Sequence, residues 1–159
     1  MHHESSAKKA LNGMRGVHLV AAEVAKHGFA PVVTMRNTPF ADILAQPLTF
    51  DGAPISLSVK YSGLGTFFLL GKTSPPKHEK AFYAFVQELP GRPCRYWIAP
   101  SRELAESPRT TLQPGGRRNR ATPTGYLGLH DGQWGYEVYF KYLEQYEGAW
   151  QLLIRAARS

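Results

Sequence analysis

Two charged residues stand where the hydropathy pattern gives them no reason to be. Lys60 lies in ISLSVKYS, residues 55–62, an alternation of apolar and small polar side chains that needs no cation. Asp42 stands upstream in FADILAQ. Successive side chains of a strand point to opposite faces, so Ser56, Ser58 and Lys60 share one face, and Leu57, Val59 and Tyr61 the other. Between the two runs, FDGAP carries an Asp-Gly turn signal, and a hairpin there brings Asp42 near Ser58 and Lys60. Glu23, at the flank of an apolar helical stripe, completes the set if its helix is laid over the sheet. Carboxylates converging with a lysine suit a hard divalent cation, usually Mg²⁺, beside a phosphate. The metal polarises the phosphoryl oxygen and activates a water, and the lysine orients that water or meets the developing charge. Singly, each residue reads as a surface or half-buried ion pair. Their joint order is what points to chemistry.

The elements that must position these residues follow from periodicity. In GMRGVHLVAAEVAKHG, Val17, Val20, Ala21 and Val24 recur on one helical face, and Gly28 suits the left-handed residue that ends such a helix. APVVTM, ADILA and ISLSVKYS are short and rich in Val, Ile and Leu, as strands are; FFLLG is a further short candidate. KTSPPKHEK is a loop by its prolines and charges. AFYAFVQEL and RYWIAPS are dense in aromatic and β-branched residues, and Ser101 can cap a short helix through Leu104 and Glu106. The order α-β-β-β, loop, β-β-α predicts an α/β fold, a mixed sheet with helices packed on it. Residues 1–12 read as a flexible N-terminus and 13–159 as a single domain. SPRTTLQPGGRRNRATPTG carries Arg109, Arg117, Arg118 and Arg120, with no acid between Glu106 and Asp131. It reads as a basic loop over about 108–125, suited to phosphate contacts or simply solvated. A strand and a closing helix follow over about 134–156, with Tyr139, Leu143, Tyr146 and Trp150 at helical spacing as core.

Composition narrows the function classes. The chain has 159 residues, enough for one domain with a real core, and a net charge of +7 that favours polyanions. Cys94 is the sole cysteine, which excludes an internal disulfide and a CxxC knuckle. No apolar run is long enough for a bilayer span and MHHESSAKKA lacks a signal peptide's apolar stretch, so a cytoplasmic protein without membrane contact is expected. GTFFLLGKT puts five residues between its glycines where a P-loop has four, and it precedes a proline-rich loop instead of a helix. That excludes an NTPase signature. His18, His27, His78 and His130 show no metal-ligand spacing, and nothing supports Ser-His-Asp catalysis.

At GVHLVAAEVAKHGF, TMRNTPFADILA, LSVKYS, FFLLGK, FYAFVQEL and RYWIAPS the chain resembles the PD-(D/E)XK nuclease superfamily, especially its small bacterial members and more distantly the archaeal Holliday-junction resolvases. The resemblance covers roughly residues 13–107, with a weaker echo in YLEQYEGAWQLL. It implies a restriction-endonuclease-like αβββαβ core with a central mixed sheet flanked by helices. It also implies a site built from an acid in the first helix, an acid opening the second strand, an acid or glutamine, and a lysine. Position by position these are Glu23, Asp42, Ser58 and Lys60. Ser58 departs from the pattern, because a neutral hydroxyl is a weak Mg²⁺ ligand. Either Glu23 takes the missing ligand role, or the site works with Asp42, Glu23, water and the main-chain oxygen of Val59, or it is inactive.

The leading expectation is therefore a nuclease, dependent on Mg²⁺ or Mn²⁺, that hydrolyses DNA phosphodiester bonds. Glu23, Asp42 and Val59 hold the ion, Ser58 lines the site, and Lys60 serves the transition state. Arg36, Asn37, Arg117, Arg118 and Arg120 contact the DNA. The alternative is a catalytically degenerate domain of the same fold that binds DNA or serves a larger complex; a homodimer is open in either case. Both readings expect Asp42, Ser58 and Lys60 on one face at one edge of the sheet, with Glu23 overhead.

Overall fold

The computed structural model describes residues 6–35, 38–63, 67–71, 75–106, 109–110, 126–127, 136–140 and 143–159. Helix α1 (Ser6–Lys26) leads into β1 (Phe29–Val33), β2 (Ile43–Pro47), β3 (Ile55–Ser62) and β4 (Phe67–Gly71). Then come β5 (Ala81–Gln87), β6 (Arg95–Pro100), α2 (Ser101–Glu106), β7 (Arg109–Thr110), β8 (Tyr126–Leu127), β9 (Tyr136–Tyr139) and α3 (Gln151–Arg158). The fold is α/β, with a mixed five-stranded sheet in the order β1-β2-β3-β5-β6 and a second sheet in the order β4-β9-β8-β7.

Strand pairing follows the sequence pattern. β2 alternates buried Ile43, Ala45 and Pro47 with exposed Leu44 and Gln46, so only one of its faces lies against a core. β5 is buried along its whole length and sits between β3 and β6, parallel to the first and antiparallel to the second. Pro31 is tolerated in β1 because that strand is an edge and one side of it owes no ladder bond.

The main sheet separates two cores. On one face Val20 and Val24 of α1 and Leu153 and Ala157 of α3 pack on Ile43, Ile55, Leu57, Phe82, Ala84 and Val86. On the other, Phe68 of β4, Val138 of β9, Leu104 of α2, Leu143 and Tyr146 pack around Tyr83, Phe85 and Trp97. Leu57 is fully buried, so its truncation to alanine would cost about 2–5 kcal/mol. α1 approaches the sheet closely at Gly16, where an added Cβ would stand 2.8 Å from Cβ of Tyr61. The helix ends as expected at Gly28, whose φ of 86° no β-carbon tolerates easily and whose N–H closes on Ala25 O at 3.2 Å.

The candidate strand FFLLG is present as β4 and pairs with β9 in the second sheet. Three expectations need correction. α1 starts at Ser6, so residues 6–12 are helical instead of a flexible tail. Ser101 does not cap α2; its hydroxyl donates to the Pro76 carbonyl at 2.7 Å. The closing helix begins only at Gln151, because Gly148 takes φ 62° and Glu147 bridges to Trp97. Leu143, Tyr146 and Trp150 are core, but not on one helix, and they serve both cores. The basic loop, apart from the short strand β7, lies outside the described residues. Among the described residues, no helix is long and apolar enough to cross a membrane.

Candidate functional site

β2 is shorter than β3, and the candidate site sits where β2's ladder runs out. The last paired residues are Ile43 and Leu57. One step beyond, the Asp42 N–H donates to Leu57 O at 2.8 Å while its own carbonyl accepts the Thr34 N–H at 3.0 Å. Asp42 is thereby held at the mouth of the hairpin between two strands. The approach is tightly wound. Phe40 adopts φ 64°, a left-handed conformation that costs a side-chain-bearing residue energy, and the Thr34 hydroxyl donates to the Ala41 carbonyl.

The Asp42 side chain then reaches across to β3. Its Oδ2 accepts the Val59 N–H at 2.6 Å and, more weakly, the Ser58 hydroxyl at 3.4 Å. The N–H and C=O of a strand residue leave on the same edge, so the Val59 carbonyl faces the side on which Asp42 lies. Ser58 is buried and Lys60 half-buried. In the parallel pairing with β5, Ser58 is opposite Tyr83 and Lys60 opposite Phe85. Both partners belong to the core that α1 does not touch. Ser58 and Lys60 therefore share the face turned away from α1, as strand alternation predicts, and Asp42 joins them there.

Electrostatics tie the cluster together. Burial lowers the Lys60 pKa from its ordinary value, since an ammonium half out of water loses hydration, and the Asp42 carboxylate offsets part of that loss. Tyr83 is pushed far up, first by burial and then by the negative field of Asp42. The Phe40 ring stands edge-on to Tyr83, 5.1 Å between centroids, and walls this part of the face. Neither aromatic is legible as a site residue in sequence. Tyr83 is placed by a parallel register between distant segments, and the one local hint at Phe40 is the proline before it.

Glu23 is not part of this cluster. α1 covers the opposite face of the sheet, where Glu23 takes the Lys26 ammonium at 2.6 Å and adds its field to the burial and the Cys94 thiol that raise the Tyr96 pKa. The expected overhead carboxylate is on the wrong side, because a helix next to a sheet in sequence can pack on either face and the apolar stripe of α1 does not say which. Among the described residues no three of His, Cys, Asp and Glu gather as a metal site would require. The oxygen donors that do converge are Asp42, the Val59 carbonyl and the Ser58 hydroxyl, a partial fit to a hard cation with one charged ligand. Arg36, Asn37, Arg117, Arg118 and Arg120 lie outside the described residues.

Among solved structures, the chain is similar to Archaeoglobus fulgidus Hjc, a Holliday junction resolvase from an archaeal hyperthermophile. The two are 14% identical with a TM-score of 0.44, and the match covers 84% of this chain and 88% of that one. No protein-family model matches the chain, and no curated protein matches it.

Proposed function

We propose that this protein is a divalent-cation-dependent nuclease that hydrolyses DNA phosphodiester bonds on the Asp42–Ser58–Lys60 face. The observation that carries the proposal is the pairing of one oriented carboxylate with one desolvated lysine at the open end of a hairpin. Keeping an ammonium half out of water costs stability, and such groups concentrate where charge must be handled.

Asp42 and the Val59 carbonyl would hold Mg²⁺ or Mn²⁺, with the Ser58 hydroxyl as a neutral third oxygen. When bound, such a cation withdraws charge from a phosphoryl oxygen and makes a water more acidic. The chain supplies the rest. The Val59 N–H fixes the orientation of the Asp42 carboxylate. Lys60 donates to the phosphoryl oxygens as negative charge develops on them. Phe40 and Tyr83 wall this part of the face and reduce the access of bulk water to it. Arg36, Asn37, Arg117, Arg118 and Arg120 contact the DNA backbone, to which a net charge of +7 already steers the protein.

The single carboxylate favours a second reading, in which the domain binds DNA without cutting it or serves as a subunit of a larger complex. Supercoiled plasmid and branched DNA incubated with Mn²⁺ separate the two. The nuclease cuts, and Asp42→Ala or Lys60→Ala abolishes cutting while DNA binding persists. The binding domain cuts in no background yet retains DNA.

A further inference from the structure

A cleft of about 510 Å³ opens on the α1 side of the sheet, beside the carboxyl ends of the parallel pair β3 and β5. Crevices at such strand ends are common ligand sites in α/β folds, and the volume falls in the range of small-molecule pockets. Its lining combines Arg15 of α1, Tyr61 of β3 and Glu88 with a turn carrying Leu89, Pro90 and Arg92. The polar groups are organised. Glu88 takes the Arg15 guanidinium on one oxygen and the Tyr61 hydroxyl, at 3.0 Å, on the other. Arg15 spends only part of its five-donor fork on this contact, and no salt bridge among the described residues engages Arg92. The turn itself is set by Gly91 at φ 68° and by the Arg92 N–H on Leu89 O at 3.2 Å.

We infer that this cleft binds the phosphate of a nucleotide unit, free or at the end of a strand, through Arg15 and Arg92. Two arginines lining one cleft suit the planar, multidentate recognition of a phosphate. The cleft has room for more than a bare anion, and Leu89, Pro90 and the Tyr61 ring give the attached nucleoside an apolar wall. Glu88 restrains the site. Its carboxylate holds Arg15 and repels an incoming phosphate, so binding requires Arg15 to exchange Glu88 for the ligand. The site lies across the sheet from Asp42 and Lys60 and does not depend on their chemistry.

Calorimetric titration with adenosine monophosphate, adenosine, and short single strands with a 5′-phosphate or a 5′-hydroxyl tests this, run on Lys60→Ala protein so that the Asp42 face cannot contribute cleavage. The monophosphate or the phosphorylated strand should bind, and its unphosphorylated counterpart should bind at least about tenfold more weakly. Binding of the monophosphate identifies a free nucleotide as the ligand; binding of the phosphorylated strand alone identifies a strand end. Arg92→Ala, at an exposed turn position, should weaken binding about tenfold or more, while Glu88→Gln should tighten it by releasing Arg15. Equal binding with and without phosphate, no binding of either phosphorylated ligand at millimolar concentration, or full binding by Arg92→Ala would overturn the inference.

Discussion

The Asp42 carboxylate accepts the main-chain N–H of Val59 at 2.6 Å, which fastens the acid of one strand to the neighbour of the lysine on the next. β2 has no ladder partner left for that N–H, so a side chain takes the place of a strand. Removing it leaves a main-chain donor unpaired and Lys60 without its counter-charge. Asp42→Ala should therefore lose about 1–3 kcal/mol in urea denaturation. Asp42→Asn keeps an acceptor and should lose less.

Lys60 gives the fold a pH signature. Its folded pKa lies below the ordinary 10.5, chiefly through burial. Between the folded and unfolded values the unfolded chain binds the extra proton, so stability rises with pH across that interval. Below the interval the cost of holding the ammonium is fully present. The difference in unfolding free energy between wild type and Lys60→Met should shift in favour of wild type as pH climbs toward 10.5. A pH-independent difference would show that Lys60 is no more desolvated in the folded protein than in the unfolded chain.

Glu23 should be dispensable. Its Lys26 pair is a surface i,i+3 contact, and such pairs contribute about 0–1 kcal/mol. Glu23→Ala should leave cation affinity and DNA cleavage at wild-type levels. A loss as deep as that of Asp42→Ala would put Glu23 back in the site.

The arginines of the loop are proposed phosphate contacts. Replacing Arg117, Arg118 and Arg120 together should reduce the slope of log K against log salt by roughly 0.9 per contact on duplex DNA. Circular dichroism of the triple variant should match wild type. An unchanged slope removes the loop from the interface.

Much of the positioning framework was legible because it is local. The Asp-Gly turn predicted the hairpin, and period-two alternation put Ser58 and Lys60 on one face with Asp42 beside them. The rest was set by packing between distant segments. The stripe of α1 identifies a buried side but not which face of the sheet receives it, and that ambiguity misplaced Glu23. Tyr83 joins the cluster through a parallel register that no nearby residue encodes. The period through Tyr139, Leu143, Tyr146 and Trp150 imitates a helix, but Gly148 breaks it: Tyr139 belongs to β9, while Leu143, Tyr146 and Trp150 are buried from a 3-10 turn and the approach to α3.

The most direct test of the central claim is Mn²⁺-dependent nicking of supercoiled plasmid by wild type, Ser58→Glu, Asp42→Ala and Asp42→Ala/Lys60→Ala. Ser58→Glu adds a second charged oxygen beside Asp42 and should raise both cation affinity and nicking rate. Asp42→Ala should abolish nicking, and so should the double variant. Nicking that survives loss of both Asp42 and Lys60, or a Ser58→Glu protein that holds the cation and still does not cut, would contradict a nuclease at this face.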